Sequence, residues 1–201
     1  MEIKKIEAKT FPDSLFKLDG ISKKTIKEHM KLYKVYVNKF NEINERLAGL
    51  VDDDYLKANQ VCLAVRELKL ELPFAWGGII NHEIYFSHLG GETSSKVPTG
   101  SLLTQIKKDF GSLENFKKDL KATGLAARGW AWTVWNKKNK MLYNHLGDSQ
   151  NSYLLWGVKP IIALDVYEHA YFIDYGGQRG SYIDAFLNNL NWSVVEKNLG
   201  V

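Results

Sequence analysis

The chain has 201 residues, 45% apolar and 25% charged, an ordinary globular composition that can bury a substantial core in one or two compact units. Its 27 Lys and Arg against 23 Asp and Glu leave a formal charge of +4 spread along the chain, which supplies no basic nucleic-acid-binding block but favours the approach of small anions. With Cys62 as the one cysteine, an intrachain disulfide framework and a thiolate zinc cluster are excluded, so any metal falls to histidine and carboxylate.

Met1 to Lys5 runs into polar sequence without an apolar stretch of signal-peptide length, and no later stretch is long enough to span a bilayer, so the expected compartment is the cytoplasm, with neither membrane nor nucleic acid as partner. From Ile21 to Leu50, the apolar residues Ile26, Met30, Tyr33, Val37, Phe40 and Leu47 recur three, four or seven apart, which predicts a long amphipathic helix with Ser22 as its N-cap. A second helical pattern runs from about Leu56 to Leu70. A third begins near Pro73 and carries Gly77 and Gly78 before Asn81 and His82. Cys62, inside Val61-Cys62-Leu63-Ala64-Val65, reads as a small core residue.

Residues Gly90 to Gly100 are small, polar and punctuated by glycine and proline, which places the domain junction there and divides the chain into 1–92 and 93–201. Two short helices follow, Ser101 to Phe110 and Ser112 to Lys121, the second expected to stop close to Gly124. The aromatic and β-branched run Trp130 to Trp135, the polar turn Asn136 to Lys140 and the apolar Met141 to Tyr143 then predict a hairpin. After a polar loop over 147–152, Pro160 to Leu164 reads as a buried strand delivering Asp165 at its end, and the tail from Tyr182 returns to helix. The fold class is α+β: an N-terminal long-helix hairpin domain, then a C-terminal domain with a small, three-stranded antiparallel sheet flanked by helices.

Five histidines are present: His29, His82, His88, His145 and His169. On the first helix, His29 shares a face with Tyr33 and Tyr36, and by itself that face reads as a half-buried aromatic stripe. His82 has aromatic neighbours one turn away and reads the same way. Asp165-Val166-Tyr167-Glu168-His169 is different, because two carboxylates and an imidazole within five residues of apolar sequence need partners. A metal or a structural Asp-His hydrogen bond would each supply them, and these five residues alone leave both open.

Four segments together resemble the iron/manganese superoxide dismutases across nearly the whole chain. His29 to Asn38 is similar to the family's first-ligand helix, in the variant with Leu32-Tyr33 in place of the commoner His-His. Asn81 to Phe86 resembles the second-ligand helix, Gly129 to Trp132 the glycine-tryptophan strand, and Asp165 to Tyr171 the aspartate-histidine signature; Asp174 to Tyr182 and Asn191-Trp192 continue the match in order.

The resemblance implies that His29, His82, Asp165 and His169 ligate one manganese or iron ion per subunit, with a water or hydroxide as fifth ligand, and that the substrate is the superoxide anion. It further implies Gln150 as the partner of that solvent, with His145 as the rival candidate. Gly78, four residues before His82, together with Gln150 resembles the manganese type. Tyr36 would stand at the gateway with Tyr33 beside it. Trp130, Trp132, Tyr167 and Phe172 would line the cavity, and Glu168 would reach across a two-fold interface, which implies a homodimer or a dimer of dimers. Tyr33 and Phe172 stand where many relatives have histidine and tyrosine that bond each other across the dimer, so that bridge is expected to be missing here. The rival readings are a non-catalytic metal-binding dimer of the same fold, and a mononuclear hydrolase using Glu168 as general base at an open cleft.

Overall fold

The computed structural model describes residues 4–61, 63–91, 96–152 and 155–200. After a 3-10 turn at Asp13–Lys17 come α1 (Lys23–Ala48), α2 (Asp52–Leu56), α3 (Ala64–Ser87), α4 (Gly100–Phe110) and α5 (Leu113–Ala126). Then follow β1 (Trp130–Asn136), β2 (Met141–Gly147), β3 (Val158–Asp165), a 3-10 turn at Glu168–Ala170, and α6 (Phe172–Tyr175), α7 (Arg179–Asn188) and α8 (Trp192–Leu199). The α+β class stands as expected. Cys62 and much of the expected junction, 92–95, lie outside the described residues.

Helix α1 forms for the reasons its sequence carries. The Ser22 hydroxyl accepts from the Thr25 amide, and Ile26, His29, Tyr33 and Val37 bury one stripe against α3. The two patterns expected from Leu56 to Leu70 and from Pro73 onward are in fact one helix, α3, which begins at Ala64 and carries Pro73 in its interior. Proline cannot donate to the Lys69 carbonyl, yet Pro73 and Lys69 both face solvent, where water serves the carbonyl instead. The buried Leu68, Ala75, Ile79 and Tyr85 hold the helix together across the break.

The three strands are antiparallel in the order β2-β1-β3, with Trp130 opposite both Gly147 and Asp165. Helices α4 and α5 pack on β2, while α3 and α8 pack on β3. The outer edge of β3 is covered by side chains: the Ala163 amide donates to His88 Nε2 at 3.0 Å, and Asn198 Nδ2 donates to the Ile161 carbonyl at 3.3 Å. His88 is fully buried, and burial lowers its pKa to about 3, so it stands as the neutral acceptor that the amide requires.

Gly124 does not end its helix, which continues to Ala126. A β-carbon there would lie 2.9 Å from Leu164 Cδ2 and 3.1 Å from Ile183 Cδ1, so the glycine is where α5 meets the core beneath β3. Gly124→Val is therefore expected to destabilise the protein by about 1–3 kcal/mol, although valine has the better helix propensity, as measured by urea unfolding.

Candidate metal centre

Four elements converge on one buried point. Helix α1 brings His29, α3 brings His82, the end of β3 brings Asp165, and the 3-10 turn after it brings His169. Asp165 Oδ2 lies 3.0 Å from His29 Nε2, 3.1 Å from His169 Nε2 and 3.7 Å from His82 Nε2, and one atom from each residue falls within 4.8 Å of every other. His29, His82 and Asp165 have no exposed surface. Asp165 is pinned elsewhere as well: its main-chain carbonyl accepts from Tyr182 Oη at 2.8 Å, and its second carboxylate oxygen, Oδ1, accepts from the Tyr167 amide at 2.9 Å.

The donor set fits a metal ion. His82 Nδ1 donates to the Gly78 carbonyl at 2.6 Å, which fixes the tautomer and leaves a lone pair on Nε2. That nitrogen is buried, has no hydrogen-bond partner among the described residues, and faces a carboxylate oxygen. Two buried electron-pair donors face each other stably only with a cation between them. The spacing agrees, since donors about 2.1 Å from one ion stand about 3.0 Å apart at a right angle and about 3.6 Å apart at 120°. Three neutral imidazoles and one carboxylate suit a borderline to hard transition metal.

The same burial sets the protonation states. It lowers His29, and with the neighbouring His29 it lowers His82 to about 3. Burial would raise Asp165, but the charge and hydrogen bond of His169 and the bond from His29 overcome it and hold the carboxyl well below its usual range. Burial likewise opposes a charge on His169, and the Asp165 carboxylate overcomes it and raises that imidazole.

Around the four donors lies a hydrogen-bonded aromatic wall. Gln150 is 1% exposed; its Nε2 donates to Tyr36 Oη at 3.0 Å, and its Oε1 accepts from Trp130 Nε1 at 2.9 Å. Trp130 stands edge-on to His82 and stacks on Trp132, while the Tyr167 ring stacks on His169. Tyr36 packs on His82 with centroids 5.4 Å apart, and a β-carbon on Gly78 would lie 2.6 Å from the Tyr36 ring, so only glycine lets the phenol stand there. A cavity of about 220 Å³ between α1 and α3 is lined by Tyr36 and Phe74, with Lys39 and Arg46 beside Glu42, Glu67 and Glu71.

Other expected residues are placed differently. His145 stacks on the far-side indole, Trp132, whereas Gln150 meets Tyr36 directly. Tyr33 is buried beside His82, but its hydroxyl bonds Glu83. Phe172 is 61% exposed. Glu168, expected to reach across a two-fold interface, has a side chain 67% exposed in the single chain and reaches Arg179 at 3.9 Å, because the 3-10 turn that sends His169 inward sends its neighbour outward. It cannot serve as a general base within the cluster.

Sequence reasoning missed Asn81, which ties Trp132 Nε1 to the Gln150 carbonyl, and the Tyr85–Tyr182 hydroxyl pair beneath Asp165. Asn81 adjoins His82, and Tyr85 lies three residues further along the same helix, so helical spacing was the available signal.

The titration of these groups fixes a pH response. His82 and His88, near 6.5 when unfolded, are held at about 3 when folded, so stability is fully present above 6.5 and is lost as pH falls toward 3. His29, also lowered, acts in the same sense, and His169, raised, acts in the opposite sense but is one group against three. The metal-free protein is expected to lose stability over that window at up to about 1.4 kcal/mol per pH unit for each imidazole, read as the urea midpoint at stepped pH.

Comparison with known proteins agrees with this geometry. Residues 98–198 match the model of the C-terminal domain of iron/manganese superoxide dismutases. The chain is 42% identical over 184 residues to an iron superoxide dismutase of Aquifex aeolicus, covering 90% of this chain and 84% of that protein. It is 35% identical over 180 residues to one of Cupriavidus metallidurans, covering 88% and 87%. It is also 35% identical over 174 residues to a mitochondrial manganese superoxide dismutase of Caenorhabditis elegans, covering 84% and 74%. With the match running through both halves that supply the four converging donors, the chain belongs to the iron/manganese superoxide dismutase family.

Proposed function

We propose that this protein disproportionates superoxide to hydrogen peroxide and dioxygen, using one manganese or iron ion held by His29, His82, Asp165 and His169. The observation that carries the reading is the buried, partnerless Nε2 of His82 facing the Asp165 carboxylate. A bound ion of either metal supplies one-electron cycling between its divalent and trivalent states.

The protein's own part is to admit a small anion, exclude bulk water and deliver protons. The net charge of +4 favours an anion. Tyr36 accepts from Gln150, which leaves its own O–H to donate, and burial raises its pKa so that the phenol keeps that proton. Gln150, clamped by Trp130 and Asn81, holds the phenol and orients solvent at the site. Manganese is favoured over iron by the pairing of Gln150 with Gly78, while relatives carry both names.

We propose a cytoplasmic antioxidant enzyme of two units, 1–92 and 93–201, each giving two ligands. A homodimer, alone or as a dimer of dimers, is supported by exposed Phe172, Ile173 and Leu32 near Glu168, where α6 packs on α1.

Three measurements test this. Loaded separately with manganese and iron, the protein is expected to dismutate superoxide with at least one; about one ion per chain without activity in either form would leave the non-catalytic reading. Gln150→Leu should retain its metal but lose about 10- to 100-fold in activity. Glu168→Ala should shift sedimentation toward the monomer, and an unchanged dimer would remove Glu168 from the interface.

A further inference from the structure

Next to the proposed metal site stands a charge that the reaction above does not use. Glu83 follows His82 directly on α3, and its side chain is only 15% exposed. Its Oε1 accepts from Tyr33 Oη at 3.0 Å, and its Oε2 is paired with the Lys9 ammonium. Tyr33 Oη in turn accepts from the Lys9 amide at 2.9 Å. The phenol is thereby used as donor and acceptor at once, and burial pushes its pKa up to about 12, so it is a fixed link rather than a mobile proton carrier. The Tyr33 ring stacks on His82 at 6.4 Å and packs against Phe86 and Phe11, so one aromatic ring links the Glu83 hydrogen bond to the donor cluster. Lys9 is different, because its side chain is 64% exposed and water and salt screen its charge.

We infer that Glu83 is a positioning and tuning residue for the metal: a half-buried carboxylate, only partly neutralised by Lys9, whose charge favours the more oxidised ion and whose bond to Tyr33 holds the ring that backs His82. A negative charge near a metal in a poorly screened setting stabilises the higher oxidation state, and the exposed ammonium cancels less of it than a buried one would. The proposal rests on the dismutase reading for the presence of a redox-active ion.

The test uses the holoenzyme loaded with manganese or with iron, in a mediated redox titration that yields the midpoint potential, with thermal unfolding of each metal-free variant measured alongside. Glu83→Gln keeps an acceptor for Tyr33 while removing the charge, and its potential should rise. Lys9→Met removes the partial neutraliser, and its potential should fall. The double variant should lie between the two. A Glu83→Gln potential equal to the wild type overturns the inference, whether or not the unfolding temperature moves, and a movement in temperature alone would make the triad a clip for the N-terminal segment. If the wild type dismutates superoxide and only the expected shifts are missing, the tuning role falls and the dismutase reading stands. A wild type with metal bound but neither a reversible couple nor activity removes both.

Discussion

A carboxylate with no exposed surface, Asp165, is the constraint from which the rest follows. Burying a charge is costly unless it is paired and bonded, and the ladder that sets Asp165 opposite Trp130 engages main-chain groups alone, so the carboxylate must find its partners elsewhere. The molecule answers with imidazoles from three elements on the carboxylate, the Tyr167 amide on its other oxygen, and a tyrosine hydroxyl on its carbonyl. Each of those groups then needs its own place. His29 requires α1 to lie along α3, His82 requires the Gly78 carbonyl, and Tyr182 requires α7 to bring a hydroxyl to the end of β3.

The wall around this centre is tied by hydrogen bonds as well as packed. Trp130, Gln150 and Tyr36 form one chain, and Trp132, Asn81 and the Gln150 carbonyl form another. They meet at one residue of an otherwise polar loop. Gln150 is thus fixed by its main chain and by both ends of its amide, leaving it little rotamer freedom. Its position is set by one strand and two helices rather than by the loop that carries it.

Much of this was legible in the sequence because the relevant signals are local. The stripe from Ile26 to Val37 and the hairpin around Asn136 to Lys140 each read correctly, since period and turn chemistry are properties of a few neighbouring residues, whereas the five residues from Asp165 to His169 left a metal and a structural Asp-His hydrogen bond both open. Pro73 and Gly124 misled because both are helix breakers in isolation. Tertiary packing on Leu68 and Ile79 carries the helix past the one, and contact with Leu164 and Ile183 demands the other. Glu168 points outward beside buried neighbours because a short 3-10 turn reverses its direction, which suits the two-fold contact proposed for it. The link from Tyr33 to Glu83 and Lys9 spans 50 residues one way and 24 the other, and no spacing rule reaches that far.

The same separation governs how the centre comes into being. His29 and Asp165 stand 136 residues apart in sequence, and neither half of the chain holds more than two of the four donors. A ribosome releasing the chain from its N-terminus exposes two imidazoles long before the strand and turn that complete the set exist, and closing so long a loop is among the slower steps of folding. Tight capture of an ion must therefore wait until the halves dock. The choice between the metals therefore falls to the folded site at the moment the halves dock, with the donor set acting as a late judge rather than an early collector.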